Sequence, residues 1–100
     1  MGERMITHIV LCKFKAKTTK NEIRKVMSDV LSLKSKVRGI TDIRWGGNFS
    51  KGKEGYTYAI VVSAKDRRTL DSFLNHPDHK LLAGWFYKCA EKLLVVDFKS

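Results

Sequence analysis

Apolar and polar positions along the chain alternate between two periods, and each switch marks an element. Met5 to Phe14 (MITHIVLCKF) is dense in β-branched and apolar residues and predicts a buried strand. Thr19-Lys20-Asn21-Glu22 forms a capping box, hydroxyl first and carboxylate three residues later. Behind it Ile23, Val26, Met27, Val30, Leu31 and Val37 recur at helical spacing, with Gly39 as the stop. A second strand is predicted over Ile40 to Trp45, and a glycine- and lysine-rich loop leads to a third over Tyr56 to Ala64. Asp66 caps a short helix carrying Leu70, Phe73 and Leu74, which Pro77 should interrupt. Asp78 is placed to cap a last helix with Leu81, Leu82, Trp85, Phe86 and Cys89 on one face. Leu93 to Phe98 (LLVVDF) closes the chain as a fourth strand.

The order is strand, helix, strand, strand, two short helices, strand. Right-handed crossovers then place every helix on one side of a single antiparallel sheet, an α+β fold. The strands, however, are not half polar. Ile6, His8, Val10, Cys12 and Phe14 point one way, while Met5, Thr7, Ile9 and Leu11 point the other. Tyr58, Ile60 and Val62 likewise oppose Thr57, Ala59 and Val61. A sheet with one wet face should alternate apolar with polar. The bare face is therefore expected to meet a second copy, giving a homodimer.

Composition narrows the picture. The 100 residues suffice for one domain, residues 1–100, and 43% apolar content is too high for disorder. No apolar run is long enough for a membrane span. The first residues, Met1-Gly2-Glu3-Arg4-Met5, lack a signal-peptide pattern, and two cysteines are too few for a disulfide framework, so a cytoplasmic, reduced protein is expected. The net charge of +10 leans to the first half, where eleven basic residues face four acidic ones. Charge alone draws a chain to nucleic acid. Without a recognition motif or an aromatic stripe between the lysines, solubility explains it better.

Several stretches together resemble the stress-responsive dimeric α/β-barrel proteins. They are His8-Ile9-Val10-Leu11, Lys13-Phe14-Lys15, Trp45-Gly46, Gly55-Tyr56-Thr57-Tyr58, His76-Pro77-Asp78-His79 and Glu91 to Phe98, in the family's order. The resemblance implies a ferredoxin-like protomer with a four-stranded antiparallel sheet and helices on one face. It also implies a dimeric barrel and a small apolar cavity between sheet and helices. Plant polyketide cyclases of this family close their substrate by aldol condensation. His8 and His79 match their strand histidine and their base. Val10, Cys12, Val26, Met27, Val30, Ile60, Phe73 and Leu93 match their cavity wall. Phe73 stands where those enzymes carry a tyrosine, Val30 where they carry another, and Ala90 where they carry a tryptophan. Other members of the family are heat-stable stress proteins.

The residues themselves leave alternatives open. His8 on a strand's inner face can be a core histidine with one hydrogen-bonded neighbour. His79, beyond Pro77 at a helix start, suits general base chemistry because imidazole titrates near neutrality and a helix N-terminus favours its neutral form. His76 reads as shaping the turn. The three histidines lack the carboxylate or thiol partners of a metal site, so no metal or cofactor is expected. Cys12 lies four strand positions from His8, roughly 13 Å, too far for a nucleophile and its base. The function is expected to be either a carbonyl enzyme with His79 as base, acting on an apolar or aromatic ligand with a carbonyl or carboxylate end, or a non-catalytic stress or interaction protein.

Overall fold

A computed structural model describes residues 4–100; Met1, Gly2 and Glu3 of the lead into the first strand lie outside the described residues. The elements are β1 (Ile6–Phe14), α1 (Lys20–Ser32), a 3₁₀ turn (Leu33–Ser35), β2 (Ile40–Gly47), β3 (Tyr58–Ala64), α2 (Arg67–Asn75), α3 (Pro77–Cys89) and β4 (Ala90–Lys99). The strands form one antiparallel sheet in the order β2-β3-β1-β4, the ferredoxin-like arrangement. Side-chain alternation follows the expected faces. Ile6, His8, Cys12, Phe14, Ile60, Val62 and Ala64 are buried, while Ile9, Leu11 and Val61 on the reverse are half covered.

The capping box closes as predicted. Thr19 Oγ1 accepts from the Glu22 amide at 3.1 Å, and Glu22 accepts from the Thr19 amide at 3.0 Å. The Thr19 amide, with the Thr19 hydroxyl beside it, holds the Glu22 carboxyl below its ordinary range. The helix stops sooner than the apolar spacing suggests. Ser32 donates to the Asp29 carbonyl and Ser35 to the Ser32 carbonyl, so serine hydroxyls take up backbone acceptors and the last turn tightens to 3₁₀. Leu33 and Val37 still reach the core. Gly39 follows at φ +97°, and a Cβ there would meet Thr69 Oγ1 at 2.6 Å. Only glycine fits both the backbone and the close approach.

Pro77 begins α3 rather than merely interrupting a helix, because its missing amide costs nothing in the first turn. The cap is His76, not Asp78: His76 Nδ1 accepts from the Asp78 amide at 3.1 Å. The Asp78 carboxylate instead receives Lys36 Nζ at 2.6 Å, and that bond holds its carboxyl below the usual range. α3 passes directly into β4 at Ala90, three residues before the predicted strand start, and β3 begins two residues later than predicted.

Candidate functional site

β1 and β4 pair so that Cys12 faces Leu93, Val10 faces Val95 and His8 faces Asp97. These side chains point toward the helices. His8 is buried, and Asp97 Oδ1 accepts from its Nδ1 at 2.5 Å. That bond fixes the imidazole ring and leaves Nε2 as the atom able to meet a ligand, an acceptor in the neutral ring and a donor in the imidazolium.

His79, two residues into α3, approaches from the opposite wall. The Phe73 ring packs near both histidines, 4.9 Å from His79 and 6.2 Å from His8 between centroids. Burial pushes the His79 pKa below its ordinary value, and the electrostatic influence of His8 adds to this. The Leu74 backbone pulls the other way, although His79 Nδ1 is buried and meets no partner within hydrogen-bond geometry. Near neutral pH the ring is therefore held uncharged, the form that can act as a base.

Around these groups lies a cavity of about 360 Å³ whose other walls are almost wholly apolar. Of the residues matched to the cyclase cavity, His8, Val10, Val30, Ile60, Phe73, His79 and Leu93 line it. Cys12, Val26 and Met27 do not. They are buried in the core, and burial raises the Cys12 thiol to about 11, which makes it a poor nucleophile at neutral pH. Two polar wall residues escaped the sequence reading, Asp97 and Tyr87. A lone carboxylate in the apolar run LLVVDF was the available signal for the first. Nothing marked Tyr87, which sits 72% exposed at the cavity's edge.

An open-faced ferredoxin-like sheet with a histidine-bearing cavity beneath its helices defines a class of small α+β proteins. Within that class the chain belongs to the stress responsive A/B barrel domain family, which matches residues 6–100. Olivetolic acid cyclase from Cannabis sativa is 24% identical over 95 residues, covering 93% of this chain and 94% of the cyclase. A hydroxynitrile lyase from Passiflora edulis superposes with a TM-score of 0.91 at 18% identity, covering 99% of this chain and 95% of that one. A dimeric ferredoxin-like protein of unknown function from Jannaschia sp. CCS1 gives 0.85 at 26% identity, covering 94% and 97%. No helix among the described residues is long and apolar enough to cross a membrane.

Proposed function

We propose that this protein is a homodimeric, cytoplasmic enzyme that abstracts a proton next to a carbonyl of an apolar or aromatic ligand, with His79 as base. The observation that carries the reading is that His79, a half-buried imidazole with its pKa lowered by burial, lines an apolar cavity together with the Asp97-anchored His8. An uncharged imidazole takes the proton, the C–H electron pair moves toward the carbonyl oxygen, and the resulting enolate carbon attacks a second carbonyl. A carbon–carbon bond forms, and the proton on His79 returns to the new alkoxide. His8, its ring held through Nδ1 by Asp97, is suited to orient the substrate's carbonyl oxygen through Nε2. The likeness to a cyclase and to a lyase supports carbonyl chemistry without choosing the substrate.

The test is turnover on a panel of apolar β-polyketo acids and related aromatic acids. His79→Ala should abolish turnover by about 10²-fold or more, the usual worth of general base catalysis, with the fold intact. His8→Ala should weaken binding more than it slows the chemical step. Equal turnover in parent and His79→Ala would refute the catalytic reading. A second reading, a ligand-binding stress protein without chemistry, draws on one observation: Phe73 sets a bare ring beside the two histidines, with no hydroxyl to polarise a carbonyl. Phe73→Tyr separates the two, since a gain of turnover identifies an enzyme short of one donor.

Dimerisation is proposed through the open sheet face, where Leu94, Val96 and Phe98 of β4 remain 40–46% exposed beside Ile9, Leu11 and Val61. That is a contiguous apolar surface of the kind that protein partners cover. Sedimentation at micromolar concentration should give about 23 kDa, twice the chain mass of 11.5 kDa. Leu11→Asp should shift it to monomer or unfold it, and a well-folded parent monomer excludes the dimer.

A further inference from the structure

The cavity has four polar side chains, and three of them gather at one place. His8, Asp97 and His79 lie around Phe73, whereas Tyr87 stands apart. It follows His79 by eight residues on α3, so their Cα atoms are about 12 Å apart along the helix axis. Between them Ala83 contributes only a methyl group to the wall, which leaves the cavity continuous from the histidines to the tyrosine. Tyr87 is the sole hydroxyl in the lining, yet it is 72% exposed and therefore sits at the mouth. An aromatic ring so exposed adds little to the core and is open to whatever enters the mouth.

We propose that Tyr87 is a specificity-determining residue and that the ligand is two-headed: a carbonyl held at the histidine end, an apolar or aromatic body, and a second oxygen function that accepts a hydrogen bond from the Tyr87 hydroxyl. The assignment rests on the carbonyl-site reading of the cavity and adds the chemistry of the ligand's outer end. A wholly apolar ligand would bury its far end against a phenol hydroxyl and gain nothing from it. A ligand ending in a carboxylate or keto oxygen gains one directional bond and covers the exposed ring at the same time. The outer oxygen thus selects among ligands that the histidine end accepts alike.

The experiment uses acetophenone and 4-acetylbenzoate, which share the ketone and the ring and differ only in the far carboxylate. Dissociation constants are measured by ligand-observed NMR for the parent, Tyr87→Phe and His79→Ala. Tyr87→Phe should weaken 4-acetylbenzoate about five-fold, the worth of one net hydrogen bond, and leave acetophenone within about two-fold. Equal effects on the two probes, or none on either, overturn the assignment of Tyr87. His79→Ala should weaken both probes together. If it leaves both unchanged while Tyr87→Phe still discriminates, the carbonyl-site reading fails and the mouth assignment stands. Absence of binding by either probe to the parent up to about 10 mM overturns both. The parent and Tyr87→Phe should unfold at the same temperature, because the ring is kept and the lost hydroxyl faces solvent.

Discussion

Under the helices, one end of the sheet is filled and the other is empty. At the filled end the Phe14 ring packs on Tyr58, Trp85 and Phe86 at centroid separations of 5.5–5.7 Å, and Trp45 extends the cluster at 6.2 Å from Tyr58. At the other end His8, Phe73 and His79 surround a void of about 360 Å³. Phe86 belongs to both: it closes the aromatic cluster on one side and walls the cavity on the other. The same strands thus serve two purposes along their length. Aromatic packing at one end supplies the stability that lets the other end stay hollow, with polar groups that a well-filled core would reject.

The largest effect expected from this division comes at Phe14. Phe14→Ala removes the ring on which three other aromatics rest and should cost about 3–5 kcal/mol, measured as a lower urea midpoint at unchanged slope. Ligand affinity in the surviving folded fraction should hardly change, because Phe14 does not touch the cavity. A cost under about 1 kcal/mol removes the distinction between a filled and a hollow end.

A sharper contrast comes from adding the same bulk at both ends. Cys12 is completely buried, so Cys12→Leu overpacks it and should cost about 1–3 kcal/mol. Ala83 borders open space, so Ala83→Leu should change stability by less than about 1 kcal/mol and still abolish probe binding by occupying the void. Denaturant unfolding and NMR titration read the two quantities separately. Equal stability costs at both positions contradict the comparison.

Much of this organisation was legible in the chain. Strand periodicity put Ile6, His8, Val10, Cys12 and Phe14 on one face, and the capping box fixed the start of α1. Where the reading departed from the structure, the missing information was spatial. The end of α1 turned on which carbonyls Ser32 and Ser35 would donate to, a choice that apolar spacing does not encode. His76 displaced Asp78 as cap because Pro77 occupies the first helical position and Lys36, distant in sequence, claims the carboxylate. Asp97 became significant only once β1 lay beside β4 in the register that sets it opposite His8. Cys12, Val26 and Met27 share the cavity's face of the sheet or helix but fall nearer the packed end, and facing alone does not distinguish an empty neighbour from a filled one. Tyr87 sits among core-forming aromatics in the sequence, and nothing local separates it from Trp85 and Phe86.

The smallest effect expected is also the one that links the hollow end's chemistry to its cost. His79 has its folded pKa lowered, chiefly by burial. In the unfolded chain it titrates at about 6.5. Below that pH the unfolded chain takes up a proton that the folded ring resists, so the unfolded state binds more protons and the fold loses stability as pH falls. Above it both states are neutral and the contribution is fully present. His79→Leu removes the titrating group and the unpartnered buried nitrogen together, so the variant should gain about 1 kcal/mol at pH 8 relative to the parent. The gap should widen as pH falls below about 6.5. In the parent, the neutral base form should persist below pH 6.5, so turnover should hold its plateau to mildly acidic pH before it falls. A variant less stable than the parent at pH 8, or a gap that narrows on acidification, means that His79 is held by a partner and is not kept free for a ligand.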